Sequence, residues 1–219
     1  MMIWSHFFNK ESIGYVAVPY WGIQTKIQLI TAERLCQYLS QTFAYTRNRQ
    51  KLEFLNFNDL MTGIHNRRGF YHFFAIQVEK RLNTKGYMIL HSIDMDGLKY
   101  INDTFGHKEG DFAIKTLAQG LLAAGNDTLI AARFGGDEFV AVEFIEEGEV
   151  KSGTQFREKL LEYLGRINQT SGKEYKIGCS IGSHSTEFPP LMNVDQIIAV
   201  ADELMYSEKS HKKRSSPRL

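Results

Sequence analysis

The sequence predicts an α/β fold in which an antiparallel central sheet is flanked by helices, and three observations lead to that prediction. After Gly86, strand-like apolar runs alternate with helix-period segments in the order β-α-β-β-α-β. Two of these runs meet at Gly135-Gly136, which marks a hairpin. The chain has 219 residues, of which 43% are hydrophobic, enough for one substantial core and an appendage. This order is typical of the ferredoxin-like, or split βαβ, layout, here with one helix added at the C-terminus.

The N-terminal part predicts a strand followed by a long helix. Residues 13–21 form a short apolar run, and residues 24–57 contain neither proline nor glycine. Apolar residues recur along the helix at spacings of three to five, at Ile27, Ile30, Leu35, Leu39 and Phe43. Its later half is polar with a sparse stripe, Tyr45, Leu52 and Leu55, which suits a two-stranded coiled coil. We therefore interpret residues 1–23 as the remnant of an upstream sensory domain and 24–58 as a signalling helix.

The remaining elements follow in order along residues 59–214, which we expect to form the main domain. The pattern breaks at Gly63, and Asn66 can N-cap a helix that runs to about Thr84, with Gly86 as its stop. A strand, "YMILHSID", precedes two helical segments, "GLKYINDTFG" and "EGDFAIKTLAQGLLAA". The hairpin "TLIAARF" with "EFVAVEF" comes next. A helix over 152–169, the strand "YKIGCSIGSHS" and the helix "VDQIIAVADELMYSEK" complete the domain, and 215–219 are expected to be a disordered tail.

Acidic residues stand where two predicted strands come together. In the split βαβ layout the first strand runs antiparallel to the second arm of the hairpin, so the end of "HSIDMD" meets the start of "DEFVAVE". Asp94 and Asp137 should therefore lie within reach of each other, with Asp96 nearby. Paired carboxylates of this kind suit Mg²⁺, which also takes oxygen ligands from substrate phosphates. We expect Gly135 and Gly136 to supply positive φ angles and to leave room for a bulky ligand.

A glycine-containing turn and a helix N-terminus follow the first of these strands. In "DGLKYIND", backbone N–H groups and Lys99 are placed to bind a polyphosphate. We therefore predict a site for a nucleotide and a metal. Taken singly, each of these motifs can be explained without a ligand. Gly-Gly-Asp-Glu, for example, is also a common sequence for a hairpin turn. The segment "DGLKYINDTFGHKEGD" fits a calcium loop poorly, since Leu98 and Tyr100 occupy positions where such a loop needs oxygen ligands.

Composition narrows the class of protein. The formal net charge is +1, so a broad basic surface for nucleic acid is not indicated. The two cysteines, Cys36 and Cys179, lack CxxC spacing, which argues against a disulfide framework or zinc site and favours a cytoplasmic location. No stretch approaches the roughly 20 apolar residues of a membrane span. We therefore expect no membrane segment in this chain.

Five separated motifs resemble those of the GGDEF family, the diguanylate cyclases of bacterial signalling. They are "DLMTGIHNRRGF", "IDMDGLKYINDTFGHKEGD", "RFGGDEF", "SIG" at 180–182 and "ADELMYSEK", in the family's order and spacing from Asp59 to Lys213. The resemblance implies an enzyme that condenses two GTP into cyclic di-GMP and two pyrophosphates. It also implies a homodimer in which each subunit presents one GTP to the other, with residues 59–214 as the catalytic domain.

The resemblance also assigns roles around the metal. Asp94 and Asp137 would hold Mg²⁺ (or Mn²⁺), helped by the Met95 carbonyl. Asp137 would assist removal of the 3′-hydroxyl proton, and Glu138 would support that centre. Lys99 would neutralise charge on the transferring phosphate.

For the substrate, the resemblance implies guanine readers and phosphate contacts. Asn102 and Asp111 match the residues that read guanine, whose donors and acceptors an amide and a carboxylate can pair. Lys209 and Lys213 would bind phosphate. The nucleotide would approach the backbone at Gly97, Leu98, Gly135 and Gly136.

Three departures from the family pattern bear on activity. Gly97-Leu98 replaces a bulky aromatic pair after "DMD", so the floor of the nucleotide pocket is expected to differ. Lys213 stands where an arginine is common, and lysine lacks the bidentate fork. Residues 126–129, "NDTL", replace the Arg-x-x-Asp motif of product inhibition, so that site is expected to be missing.

Two other interpretations stay open at this point. The chain could be a regulatory module that binds GTP or cyclic di-GMP with little turnover. Its first 58 residues could serve mainly as a dimerisation device. A sensory domain upstream of the signalling helix is expected to lie outside this chain.

Overall fold

The structure, a computed structural model, describes residues 2–8, 11–18, 26–146, 153–188 and 190–215, and divides into units 1–56 and 57–219. In the first unit, β1 (Met2–Phe8) and β2 (Glu11–Val18) pair as an antiparallel hairpin. The predicted strand over 13–21 is confirmed up to Val18, and residues 19–21 lie outside the described chain. β1 was not predicted, because seven residues without their pairing partner show no decisive period.

The long helix α1 spans Lys26–Phe57, which confirms the predicted helix from Lys26 onward. Residues 24 and 25 fall outside the described chain. The prediction of a disordered tail at 215–219 is wrong at Ser215, which is the last residue of the C-terminal helix, and 216–219 fall outside the described chain. None of the described helices is long and apolar enough to cross a membrane.

The second unit is built on a five-stranded sheet in the order β3-β5-β6-β4-β7. The four long strands pair with one another in antiparallel fashion, which confirms the predicted ferredoxin-like layout. These strands are β4 (Gly86–Asp96), β5 (Ile130–Gly135), β6 (Glu138–Glu146) and β7 (Gly178–Phe188). The sequence did not predict β3 (His65–Asn66), which pairs in parallel with β5 over only two residues.

The helices of this unit are α2 (Arg67–Lys80), α3 (Leu98–Phe105), α4 (His107–Ala124), α5 (Gly153–Thr170) and α6 (Val194–Ser215). Asn66 N-caps α2 as predicted, because its side chain accepts a hydrogen bond from the Gly69 amide at 2.8 Å. The helix ends at Lys80 rather than near Thr84, since a turn from Arg81 follows. Gly86 is therefore the first residue of β4 and not a helix stop.

Helices cover both faces of the sheet, and alternate residues of β4 face each layer. Ile93 and Met95 belong to the core beneath α4 and α5, together with Leu117 and Phe156. Residues on the opposite face, including Leu90, pack in a second core that contains Phe70 of α2 and Ile197 of α6. The sheet therefore holds α3 and α4 on one side of the end of β4, and α6 on the other.

The hairpin between β5 and β6 closes differently from the prediction. Among the described residues the glycines with positive φ are Gly63, Gly97, Gly106 and Gly172, so the expectation for Gly135 and Gly136 was wrong. The pairing register shifts between Arg133 and Gly135, and this bulge bends β5 enough for a short turn at 136–137. The expected room is present, because a Cβ at Gly136 would meet nothing within 4 Å.

Gly182 of β7 sets how closely α6 approaches the sheet. A Cβ there would lie 2.0 Å from the Ala201 carbonyl oxygen and 2.3 Å from the Met205 amide nitrogen. Gly182→Ala should therefore push α6 outward and lower the free energy of unfolding by about 3 kcal/mol, measured by denaturant titration. Gly165→Ala in α5, where a Cβ has open space, should instead add about 0.5–1 kcal/mol. Equal stability of the two variants would contradict this packing.

Candidate functional site

The acidic end of β4 lies directly beside the start of β6. Asp94 is the register partner of Glu138, and the Met95 amide donates a hydrogen bond to the Asp137 carbonyl oxygen at 3.0 Å. Asp94 is 8% exposed, Asp137 is half-buried and Glu138 is exposed. The sheet thus brings Asp94 and Asp137 to neighbouring strand ends, as the sequence predicted.

Helix α6 adds a lysine to these carboxylates. Lys209 Nζ lies 2.5 Å from Asp94 Oδ1. Burial raises the pKa of Asp94, the Lys209 ammonium lowers it, and the Asp137 and Asp96 carboxylates raise it further, so the net direction is upward. Burial is the largest cause of this upward shift, and the neighbouring carboxylates add to it.

This donor set fits a magnesium ion. Carboxylate and carbonyl oxygens are the ligands that Mg²⁺ prefers, and a dication would relieve the repulsion that raises the pKa of Asp94. Within the described ranges, no group of three or more His, Cys, Asp or Glu side chains is arranged to hold a metal. Asp94 and Asp137 would thus provide only part of an octahedral shell, which leaves positions for water or phosphate oxygens.

The second aspartate of "DMD" is held by β7 and α6. Ser180 Oγ donates to Asp96 Oδ1 at 2.8 Å, and Lys212 Nζ lies 3.1 Å from Asp96 Oδ2. Lys212 also donates to the Cys179 carbonyl oxygen at 2.6 Å. Lys209 and Lys212 are three residues apart on α6, so each holds one aspartate of β4.

A second ion pair fixes Lys212 in turn. Its ammonium lies 3.0 Å from Glu208 Oε1, and Arg157 of α5 donates to both Glu208 carboxylate oxygens at 2.5 and 2.9 Å. Burial alone would lower the pKa of Lys212, but the Glu208 and Asp96 carboxylates raise it. The sequence reasoning missed Lys212, Glu208 and Arg157. The i,i+4 spacing of Glu208 and Lys212 was the available signal for two of them.

The two predicted guanine readers lie on consecutive helices. Asn102 is on α3 and Asp111 is in the second turn of α4, with Gly106 at a φ of 91° between the helices. A Cβ at Gly110 would lie 2.0 Å from Asn102 Oδ1, so the Asn102 amide rests against the start of α4. The structure therefore brings Asn102 beside the helical segment that carries Asp111.

The other predicted contacts cluster at the start of α3, with one exception. Gly97 adopts a φ of 72° and N-caps α3 without a side-chain hydrogen bond. Lys99 is exposed in the first turn, whereas Leu98 is half-buried and packs against the core. Lys213 lies on α6, but its side chain is outside the described part of the chain.

Arg133, which the sequence reasoning did not single out, connects the hairpin tip to the turn at Asp59. Its Nε and Nη2 donate to the Gly136 carbonyl oxygen at 3.1 and 2.8 Å, and its Nη1 lies 3.4 Å from both carboxylate oxygens of Asp59. Burial opposes ionisation of Asp59, but hydrogen bonds from Thr62 and the Arg133 charge lower its pKa overall. The carbonyl just before Asp137 is therefore held by Arg133 of β5, and Asp59, outside the hairpin, contacts that guanidinium.

Residues 126–129, where the sequence lacks the product-inhibition motif, form a turn tied to β6. Asn126 Oδ1 accepts hydrogen bonds from the Thr128 amide at 3.0 Å and from its hydroxyl at 2.7 Å. The backbone amide of Asn126 donates a hydrogen bond to Glu143 Oε1 at 3.0 Å. Asn126 thus has a role within the fold, and the absence of product inhibition stays a prediction.

Comparisons with known proteins identify the family that most of the chain matches. Residues 56–215 match the family described as "Diguanylate cyclase, GGDEF domain". The chain is 32% identical over 161 residues to probable diguanylate cyclase DgcJ of Escherichia coli K12, covering 74% of this chain and 31% of that protein. It is 29% identical to diguanylate cyclase DgcP of the same organism, over 73% of this chain and 46% of that one. The chain therefore spans less than half the length of these two relatives.

A solved structure shares the fold. The coiled coil and GGDEF domain of DgcB from Caulobacter crescentus, in complex with c-di-GMP, matches with a TM-score of 0.65. The match covers 83% of this chain and 95% of that one at 20% sequence identity. At that identity the likeness establishes the fold alone.

Arg133→Lys tests whether the guanidinium fixes the hairpin tip. A lysine cannot contact Gly136 and Asp59 together, because it lacks the planar fork. Amide hydrogen exchange at residues 136–138 should accelerate about tenfold, the effect of losing one charge-assisted hydrogen bond. Arg166→Lys, at an exposed site on α5, should leave these rates unchanged. Unaltered exchange in Arg133→Lys would show that the hairpin is rigid without this contact.

Proposed function

The chain belongs to the GGDEF family of diguanylate cyclases, and we propose that it condenses two GTP molecules into cyclic di-GMP and two pyrophosphates. One observation carries the proposal: the β4–β6 register places Asp94 and Asp137 at adjacent strand ends, with Lys209 on Asp94. Two carboxylates beside a lysine form a site for a metal-bound polyphosphate.

Each domain would bind one nucleotide across the end of β4. Asn102 and Asp111 would pair with the guanine edge, since a carboxylate accepts hydrogen bonds from donors that adenine does not present there. Lys99, in the first turn of α3, would contact the phosphates with the helix N-terminus. Lys209, which rests on Asp94 in the structure, would exchange that carboxylate for a phosphate oxygen.

Asp94, Asp137 and the Met95 carbonyl would hold Mg²⁺ or Mn²⁺ beside the phosphates. The ion supplies positive charge that stabilises the transferring phosphoryl group. Asp137 would accept the proton of the attacking 3′-hydroxyl, and the exposed Glu138 would lie next to it. The new bond joins the 3′-oxygen to the α-phosphorus of the second nucleotide, and the bond to pyrophosphate breaks.

This reaction needs two domains, because each offers one nucleotide to the other. Helix α1 carries exposed apolar side chains suited to pairing with a second copy. Leu35, Tyr38, Tyr45 and Leu52 are spaced by three and seven residues and are 56–70% exposed. Polar residues, among them Arg49, interrupt the same seam, so we propose a reversible homodimer.

Neutralising either metal-binding carboxylate tests the proposed reaction. Asp94→Asn and Asp137→Asn should each lower the rate of cyclic di-GMP formation from GTP and Mg²⁺ by about 10²-fold or more. Thermal unfolding should remain cooperative, because neither change removes core packing. Asp103→Asn, an exposed aspartate on α3, should retain the parent rate. Parent-like rates in both variants would contradict the metal assignment, and GTP binding without product in the parent chain would favour a regulatory module.

Charge placed on the α1 seam should impair assembly. Leu35→Lys with Tyr45→Lys should shift the monomer–dimer equilibrium toward monomer and lower specific activity, with GTP affinity per chain unchanged. Gln37→Lys with Gln50→Lys adds the same charge at exposed positions off the seam and should have little effect. Sedimentation and activity measured across a wide range of protein concentration provide the readout. A parent chain that is strictly monomeric with constant specific activity would overturn the dimer mechanism.

A further inference from the structure

The first turn of α4 is held by two side chains from the segment between α5 and β7. Tyr175 OH donates to Glu109 Oε2 at 2.6 Å and lies 3.3 Å from the Glu109 carbonyl oxygen. Lys173 Nζ lies 2.7 and 2.9 Å from the two Glu109 carboxylate oxygens. Lys173 and Tyr175, here called the strap, thus both contact Glu109, 64 and 66 residues earlier in the chain.

The start of α4 has no capping side chain. Its N-cap, Gly106, has a φ of 91° and makes no side-chain hydrogen bond to the helix. A helix without a capping side chain lacks that acceptor for the amides of its first turn. Glu109 stands at the third helical position, where an acid favours the helix dipole, and its carboxylate binds the strap. Both strap side chains donate to Glu109 oxygens, so the strap tethers the first turn of α4 through Glu109 and does not cap its amides.

The strap is itself anchored. Tyr175 is buried, and its ring centroid lies 5.1 Å from that of Phe105, the last residue of α3. Asn168 of α5 fixes the following chain, because its side chain accepts from the Ile177 amide at 2.8 Å and donates to the Ile177 carbonyl at 2.9 Å. Lys173 Nζ lies 4.9 Å from the centroid of the Phe112 ring. The strap thus ties the start of α4 to the end of α3 and to the sheet.

The pKa shifts of Glu109 and Tyr175 are consistent with the hydrogen bond between them. Lys173 and then Tyr175 lower the pKa of Glu109 by hydrogen bonding. Burial, with the Glu109 carboxylate as a further cause, raises the pKa of Tyr175 well above its usual range. The ionised carboxylate and the neutral phenol are therefore the forms that meet.

The first turn of α4, which the strap contacts, lies between the two predicted guanine readers in the sequence. Consecutive helical residues are about 100° apart around the axis, so Glu109 and Asp111 project in nearly opposite directions. Gly110 stands between them and packs against Asn102 Oδ1. Movement of this turn would change the separation of Asn102 and Asp111.

We propose that Glu109 and Tyr175 are positioning residues that hold Asp111 at the separation from Asn102 needed to read guanine. The inference rests on the proposed function for the identity of the ligand. A carboxylate only accepts hydrogen bonds, so Asp111 would pair with the guanine donors, N1–H and the 2-amino group. Hypoxanthine lacks the 2-amino group. The ratio of the chain's affinities for a guanine nucleotide and a hypoxanthine nucleotide therefore reports the position of the Asp111 carboxylate.

The test is equilibrium binding of non-reacting α,β-methylene analogues of GTP and ITP, with Mg²⁺, to the full chain. Tyr175→Phe keeps the ring packing and removes the hydroxyl, so GTP-analogue affinity should fall about fivefold while ITP-analogue affinity changes little. Glu109→Gln keeps an oxygen acceptor for Tyr175 and loses the ion pair, and should have a smaller effect in the same direction. Tyr163→Phe is the matched control, since Tyr163 OH contacts Gln119 farther along α4 at 3.3 Å.

A fall in the guanine-to-hypoxanthine ratio in Tyr175→Phe, absent in Tyr163→Phe, supports the inference. Equal loss of both affinities, or no change, overturns it and leaves the strap a purely structural contact. A parent chain that binds both analogues equally also overturns it. Because binding is measured without turnover, a parent chain that makes no cyclic di-GMP contradicts the proposed function while the strap is still tested.

Discussion

Asp94 lies opposite Glu138 in the antiparallel ladder between β4 and β6, and the arrangement of the candidate site depends on that register. Side chains alternate between the faces of a strand, so a slip of one residue would turn Asp94 away from α6 and Lys209. The cores on both faces oppose such a slip, because it would exchange Leu90 and Ile93 with neighbours of different character. Packing on both sides of the sheet thus specifies the position of the acidic strand end.

At this end of the β4–β6 ladder, acidic side chains face basic side chains of α6. The Asp94, Asp96 and Asp137 carboxylates crowd one edge, and Lys209 and Lys212 of α6 face the first two of them. Burial, with a smaller contribution from the neighbouring carboxylates, raises the pKa of Asp94 although the Lys209 ammonium lowers it. An unfavourable charge placement retained in a well-packed fold is typical of a site whose ligand brings compensating charge. A metal-bound nucleotide has that property.

Local signals in the sequence were sufficient to predict most elements of the unit formed by residues 57–219. Strand and helix periods predicted the β-α-β-β-α-β order, and the cap at Asn66 placed the start of α2. What the sequence did not reveal depends on long-range contacts. β3 is two residues long and exists through its pairing with β5, while the strap joins residues more than sixty positions apart. The expectation for Gly135 and Gly136 was wrong because a bulge in β5, invisible to local rules, changed the turn. Arg133 lies within the motif "RFGGDEF", but its contact with Asp59 could not be predicted, because only the fold brings these two distant residues together.

In the proposed site, two neighbouring strand ends of one chain hold a single metal ion with the nucleotide. A crystal structure of the chain with Mg²⁺ and a non-reacting GTP analogue tests it most directly. We expect one ion within about 2.0–2.1 Å of a carboxylate oxygen of Asp94 and of Asp137, with Lys209 on a phosphate oxygen. A nucleotide bound elsewhere, or an ion that leaves Asp94 paired with Lys209, would contradict it.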